Sequence, residues 1–413
     1  MKLNAPKGTK DILPTESYIW QFMEDKARYI FDKSNYKEIR TPIFEATELF
    51  ARGVGDSTDI VNKEMYTFEQ KERSLTLRPE NTAGVVRAFI EHGMFKLPSP
   101  LKMWYKGPMF RYERPQAGRQ RQFHQIGVEV FGIKSASADA EVIQTAMWYL
   151  NELKITNLSL EINNLGCKEC RESHKNKIKE AVKPKLEEFC EDCKIRYERN
   201  PLRMLDCKNE KCKLLLSSPE INEVIHADYI CQECAEHFAE LQEYLKALNI
   251  DYKINKMLVR GLDYYNRTVF EITSTALGSQ NAVCGGGRYD PLVEMLGGTS
   301  TPAVGWAMGM ERLMSLMKAP EETKLQAYIV SNNTKEALKL ADKLRKFGIS
   351  TDFDLANRNF SKQFDRAAKS GAKYAVILGE EELQSNAVKL KNMTTGAQDT
   401  VDIDKVSVSL IAR

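Results

Sequence analysis

The sequence predicts an α+β protein in three parts: an antiparallel-sheet core with flanking helices, a cysteine-rich insertion within it, and a C-terminal α/β domain. Three observations carry this. Residues 101–110 and 123–131 are apolar, β-prone runs separated by a loop containing Pro115, Gly118 and four arginines, Arg111, Arg114, Arg119 and Arg121. Eight of the nine cysteines fall between Cys167 and Cys234. Beyond Lys324 the chain alternates short apolar strands with amphipathic helices, the pattern of a parallel-rich α/β domain.

The bulk numbers set limits. With 413 residues there is room for two or three domains. The net charge of +3 leaves any nucleic-acid partner to be met by local basic patches. No apolar run approaches the ~18 residues of a membrane span, so no membrane partner is expected. Residues 1–10 lack the apolar centre of a signal peptide, and a cytoplasmic protein is expected.

Taken in order, residues 1–14 end K-G-T-K-D-I-L-P, an extended lead-in. Thr15 is placed to cap a helix over 16–33 with Ile19, Phe22, Met23, Ala27 and Ile30 on one stripe. Residues 36–45 read as a strand in which Pro42 need not donate to a ladder. Leu75 and Leu77 alternate with polar residues in a strand ended by Arg78-Pro79-Glu80, and a carboxylate at such an end can hold an ammonium group, although it can equally be solvated. In 123–131, Ile126, Val128 and Val130 share one face and Gln125, Gly127 and Glu129 the other. A helix is expected over 137–150 and a strand over 158–162.

Cysteine spacing then dominates: Cys167-x-x-Cys170, Cys190-x-x-Cys193, Cys207-x4-Cys212 and Cys231-x-x-Cys234. Pairs at this spacing chelate a tetrahedral ion, and two pairs complete a site with four thiolates and no open position, so structural zinc is expected. The alternatives are reduced thiols and cytoplasmic disulfides, the latter disfavoured by glutathione. Interleaved lysines and glutamates give charged helical stretches. Residues 257–272, with V-R-G-L-D-Y-Y, read as strand-like. The glycine run before Arg288 allows close backbone approach to a ligand, and a strand leading into a helix is read over 303–313. A polar link at 318–324 precedes strands at 325–330, 349–353 and 374–378 and helices at 334–347 and 361–370, closed by Gly348 and Gly371.

Several of these stretches resemble one family. F-R-Y-E-R at 110–114 with R-Q-F-H-Q at 121–125 resembles motif 2 of the class II aminoacyl-tRNA synthetases, in the form found in the histidyl-tRNA synthetases. Residues 36–45 resemble motif 1, which in the family builds a dimer interface, and 303–313 resemble motif 3, with Ala307 in place of one glycine. The lead-in, R-P-E-x-T at 78–82, V-R-G-L-D-Y-Y and G-G-R-Y-D are similar to features of the histidyl branch; Asn81 departs from the small glycine expected there.

The resemblance covers nearly the whole chain, the insertion least. It implies a class II antiparallel catalytic core at 1–166 and 235–320, an insertion at 167–234 that approaches the tRNA acceptor stem, and an anticodon-binding domain at 324–413. The implied reaction is L-histidine plus ATP, with Mg2+, to histidyl-adenylate and pyrophosphate, then transfer to the terminal ribose of tRNA(His) by a homodimer. By the motif match, Arg111 and Arg260 grip the α-phosphate region as catalytic residues. Glu113 contacts adenine, Phe123 stacks on it, and Arg119 and Arg312 hold the outer phosphates or nucleotide. Glu80, Thr82 and Gln125 bind the α-amino group; Glu129 and Tyr265 read the imidazole, with Tyr264 lining the pocket. Two rival readings are a non-enzymatic, synthetase-like regulatory subunit of histidine biosynthesis and a prolyl or threonyl synthetase. The intact ATP motifs and C-terminal domain oppose the first, and the Arg260 signature opposes the second.

Overall fold

The alternation in 101–110 and 123–131 produces a hairpin. In the computed structural model, which describes residues 3–55, 58, 60–115, 119–277 and 281–412, strands Leu101–Phe110 and Gln122–Phe131 pair antiparallel from Leu101 opposite Phe131 to Phe110 opposite Gln122. Pro115 lies in the connecting loop; Gly118 lies outside the described residues.

The hairpin sits near one edge of an eight-stranded sheet. Next to Gln122–Phe131 come Ala303–Gly309, Ala282–Arg288, Asn266–Ser274 and Leu158–Asn164, all antiparallel to their neighbours. The two-residue strands Lys37–Glu38 and Lys253–Ile254 close the edges in parallel pairing.

One face of this sheet is apolar. Ile126, Val128 and Val130 join Phe270, Ile272 and Trp306 in a core covered by helices Pro14–Lys33 and Ala136–Glu152. The first helix presents the expected stripe: Met23, Ala27 and Ile30 are buried, Ile19 and Phe22 half-buried, with Trp20 and Phe31 added. Burial of each large side chain contributes ~1.5–3 kcal/mol. The opposite face carries Gln125, Gly127 and Glu129, and a cavity opens there.

Three readings of the sequence are corrected. Thr15 does not cap the first helix: Pro14 occupies its first turn, where a missing N–H costs nothing, and Leu13 is the cap residue without a side-chain bond. Residues 36–45 are not one strand. They divide into Lys37–Glu38, in the large sheet, and Phe44–Ala46, in a three-stranded sheet with Tyr66–Gln70 and Arg73–Leu77. Between them the buried Arg78 donates to the Thr41 carbonyl and hydroxyl, both at 3.1 Å, and pulls the chain across. Finally, V-R-G-L-D-Y-Y is a turn-rich loop, and the strand begins only at Asn266.

The cysteine-rich segment folds as short helices, Lys168–Val182, Glu191–Arg199, Glu210–Leu216 and Pro219–His226, around Ile178, Val182, Phe189, Leu202 and Met204. Helix Gln232–Ala247 starts at Cys231 and ends with Leu241 and Leu245 in the main core. Residues Met1–Pro320 therefore form one compact unit.

Glu321–Arg413 forms a second. Its sheet runs Thr351–Phe353, Ala327–Val330, Tyr374–Ile377, Ala387–Asn392, Gln398–Asp402; the first three strands are parallel, and the last two add a hairpin that the sequence reading did not reach. Helices Thr334–Lys346 and Phe360–Lys369 close at Gly348 and Gly371, with φ of 80° and 70°. Among the described residues no helix is long and apolar enough to cross a membrane.

Candidate active site and cysteine clusters

On the polar face of the large sheet lies a cavity of about 290 Å³. Every nucleotide or histidine residue expected from the sequence lines it: Glu80, Thr82, Arg111, Glu113, Arg119, Phe123, Gln125, Glu129, Arg260, Tyr264, Tyr265 and Arg312.

One end is cationic. Arg111 donates from Nε to the Pro79 carbonyl at 2.9 Å and lies 5.3 Å from the centre of the Phe123 ring. Arg119 pairs with Glu113 at 2.9 Å, so these two residues hold each other. Arg312, at the start of helix Met310–Leu316, donates to the Ala282 carbonyl at 2.6 Å. Burial pushes its pKa down, and the charges of Arg119 and Arg111 push it further. Guanidiniums that repel one another around a common cavity make a site for a polyanion.

Arg260 enters from below the glycine run. A Cβ on Gly285 would meet its Nη2 at 1.6 Å, so only glycine leaves room for the guanidinium to cross that strand. Nη1 is paired with Glu271, and Nε is buried without a partner. Burial opposes the charge, but the Glu271 carboxylate offsets this and holds the pKa above its ordinary value.

The other end is acidic and aromatic. Glu129 is 1 % exposed. It accepts from the Thr82 hydroxyl at 2.8 Å and from the Tyr289 hydroxyl. Burial lifts its pKa to about 8, against the two hydroxyl donors and with the help of nearby Glu80. Gly305 is its cross-strand partner, and a Cβ there would lie 1.9 Å from Glu129 Oε2. Glu80, also buried, accepts the Thr82 and Ala83 backbone N–H groups at 2.7 and 2.9 Å, at the start of helix Thr82–Glu91. Burial raises its pKa as well. Among the described residues, Gln125 Oε1 and the Tyr264 hydroxyl are buried here without partners. Buried polar atoms are normally bonded, so those two, with Arg260 Nε, mark where a ligand would bond.

This arrangement can be set beside known proteins. The histidyl-tRNA synthetase family profile matches residues 8–313, and the anticodon-binding domain profile matches 326–413. The histidine–tRNA ligase of Caldanaerobacter subterraneus subsp. tengcongensis is 50% identical over 99% of this chain and 100% of its own length. The chain belongs to the histidyl-tRNA synthetase family. The crystal structure of apo histidyl-tRNA synthetase from S. aureus matches with a TM-score of 0.82 at 36% identity, over 99% of this chain and 100% of that one. A Bacillus halodurans structure described as an ATP phosphoribosyltransferase regulatory subunit/histidyl-tRNA synthetase matches with a TM-score of 0.68 over 92% of this chain and 99% of that one; at 22% identity this shows a shared fold.

Within this histidyl-tRNA synthetase fold the eight cysteines gather into two quartets. Cys167, Cys170, Cys231 and Cys234 form one; Cys190, Cys193, Cys207 and Cys212 form the other, each with sulfurs within 4.8 Å of one another. Backbone N–H groups point at the sulfurs: Cys167 to Cys234 and Cys231 to Cys170, both at 3.2 Å, and Cys190 to Cys212 at 3.3 Å.

Other site residues escaped the sequence reading. Tyr289 and Glu271 hold Glu129 and Arg260 and were assigned no role. Glu311, in motif 3, accepts the His124 backbone N–H at 2.9 Å and so ties that helix to motif 2. The signals were present: Glu311 lies inside motif 3 and Tyr289 inside G-G-R-Y-D.

Gly285→Ala should leave the fold in place at a modest cost in stability, because the Arg260 guanidinium that meets the new methyl is the far end of a long side chain, paired only with Glu271 among the described residues. It should displace that guanidinium, and adenylate formation should fall ~10-fold or more, since misplacement by ~1 Å can cost ~10². Thermal unfolding and pyrophosphate exchange on one preparation check both parts.

Proposed function

We infer that the chain carries out the histidine–tRNA ligase reaction of its family: L-histidine and ATP give histidyl-adenylate and pyrophosphate, and the histidyl group then passes to the terminal ribose of tRNA(His). The observation that supports it is one cavity with a polyanion site at one end, a buried acidic and aromatic pocket at the other, and Arg260 between them. The histidine carboxylate oxygen attacks the α-phosphorus, the bond to the bridging oxygen of pyrophosphate breaks, and negative charge builds on the phosphate oxygens. Catalysis is positioning plus charge stabilisation. Arg111 and Arg260 hold the α-phosphate; Arg119 and Arg312 hold the outer phosphates; Glu113 and Phe123 take the adenine. Glu113 and Glu311, carboxylates lining the cavity, would hold a magnesium ion bound with ATP, which would supply neutralisation of phosphate charge. Glu80, Thr82 and Gln125 receive the α-ammonium, and the Thr82 hydroxyl also holds Glu129 in place. Glu129 and Tyr265 read the ring beside Tyr264.

The regulatory-subunit reading is disfavoured by the anticodon-binding domain at 326–413 and by full-length ligase relatives. Assembly as a homodimer is supported by Ile43, Phe44 and Phe68, large apolar side chains left exposed on and beside the three-stranded sheet. Work in the cytoplasm accords with eight cysteines suited to metal rather than disulfides. Pyrophosphate exchange with a panel of amino acids tests the assignment: histidine alone should support it. Exchange with proline or threonine would point to another class II enzyme, and exchange with none to a regulator.

Each quartet suits structural zinc. Four thiolates 2.3 Å from a tetrahedral ion stand ~3.8 Å apart, and Cys190 and Cys207 are 3.8 Å apart, Cys167 and Cys170 3.5 Å. N–H donors to the sulfurs stabilise thiolate charge. When bound, the ion supplies folding energy and no open coordination site. Elemental analysis of protein purified without chelator should give about two zinc per chain, and stripping it should lower the melting temperature.

The raised pKa of Glu129 sets a pH dependence. Histidine brings an imidazole of pKa ~6.5 to a carboxyl of pKa about 8. Between those values a neutral ring meets a protonated carboxyl, and the carboxyl O–H can donate to the ring nitrogen. Below ~6.5 both groups carry a proton and one must leave on binding; above about 8 the ionised carboxylate accepts the N–H of the neutral ring and none need move. Histidine affinity should therefore fall on acidification below ~6.5 and hold from there to about 8. Titration calorimetry across pH checks it.

A further inference from the structure

The loop that carries Arg260 has no regular hydrogen-bonded structure from 260 to 265. Strand Leu158–Asn164 ties down the approach to it, through Asn163 Nδ2 to the Leu258 carbonyl at 2.9 Å. Three side chains of the cysteine-rich insertion reach its middle. Arg203, 7 % exposed, donates to the Gly261 carbonyl at 2.6 Å. Asn200 donates to the Asp263 carboxylate at 2.7 Å, and Arg171 to the Asp263 carbonyl at 3.2 Å. Met257 and Val259 pack on the insertion's core, while Leu258 and Tyr264 belong to the core beneath the cavity.

The chain positions of these contacts matter. Asn200 and Arg203 lie between Cys193 and Cys207, in a segment whose two ends converge on one cysteine quartet. Arg171 directly follows Cys170 of the other. Each quartet thus adjoins a stretch of backbone from which a side chain grips the carbonyl of a residue flanking Leu262, Gly261 or Asp263. The Gly261 carbonyl is one residue from Arg260, and Asp263 adjoins Tyr264, so a shift of this loop moves the guanidinium and the aromatic wall of the pocket together.

We propose that the cysteine-rich insertion is a clamp that aims Arg260 for adenylate formation, with Arg203 as the principal positioning residue and Asn200 as its support. This rests on the reading of Arg260 as the residue at the reacting phosphate. It gives the insertion a task in the first half-reaction, before any tRNA is present.

The test is a double-mutant comparison in pyrophosphate exchange without tRNA. Arg203→Ala should lower kcat ~10-fold or more with little change in the ATP KM, and Arg203→Lys should restore part of it. In an Arg260→Ala background the same Arg203→Ala change should lower the rate by less than about two-fold, because a residue that acts through another has nothing left to act on. Single-turnover transfer from preformed histidyl-adenylate should stay near wild type. Equal loss in both backgrounds would overturn the clamp, as would full exchange activity with loss only of tRNA charging. If Arg260→Ala alone left exchange unchanged, the reading of Arg260 would fail and the clamp with it. Should Arg203→Ala fold poorly, Asn200→Ala removes one hydrogen bond and carries the same comparison.

Discussion

The site depends on one buried ion pair. Asp139 and Arg288 both have fully buried side chains, and Arg288 Nη2 lies 2.8 Å from the Asp139 carboxylate. Every N–H of the guanidinium has a role: Nε on Asp139, Nη1 on the Ile133 carbonyl and Asp290, Nη2 on the Ser135 carbonyl and Asp139. The second Asp139 oxygen accepts from His237 at 2.6 Å and Thr268 at 2.8 Å. Burial would raise the Asp139 pKa, but the charge of Arg288 and the His237 contact hold it below the ordinary range. Its stabilising effect is therefore present above the ordinary carboxylate pKa and is lost on acidification. Removing one partner of such a pair costs ~3–5 kcal/mol, while replacing both by apolar groups can be neutral, so its value lies in specifying geometry.

That geometry runs straight into the cavity. Arg288 ends the strand that begins at Ala282. Fixing it fixes Tyr289, whose hydroxyl holds Glu129, and sets the register that brings Gly285 over Arg260. Through His237 the same carboxylate anchors helix Gln232–Ala247, which carries Cys234 at its first turn. The buried pair thus joins the acidic pocket, the strand under which Arg260 passes and a cysteine quartet.

The motifs were legible in the sequence because their chemistry is local. Alternation in 123–131 put Gln125 and Glu129 on one face, and cysteine spacing announced metal-type chelation before any fold was known. What could not be read were partners distant in sequence. Asp139 looks like an ordinary first-turn acid of a helix, and nothing local shows that it meets Arg288. Nothing in N-P-L-R-M-L at 200–205 shows that Arg203 meets the Gly261 carbonyl. The break of 36–45 into two sheets likewise follows from Arg78, a residue outside that stretch. The quartet pairing joins Cys167 to Cys234 across 67 residues, so spacing alone left it open.

The two ends of the cavity are charged against themselves. At one end burial and the charges of Arg119 and Arg111 lower the pKa of Arg312; at the other, burial raises the pKa values of Glu80 and Glu129. On the proposed reading each substrate relieves its own end: a polyphosphate the first, an ammonium with a ring N–H the second. An amino acid of similar size without a ring nitrogen would leave Glu129 buried with nothing new to bond. Sites built to bond a substrate N–H or O–H reject analogues lacking it by ~10⁴–10⁵. On the proposed reading, the burial that leaves Glu129 dependent on a bonded partner is therefore itself a source of amino-acid selectivity, and Gly305, which leaves the space its carboxylate occupies, belongs to that selectivity as much as the carboxylate does.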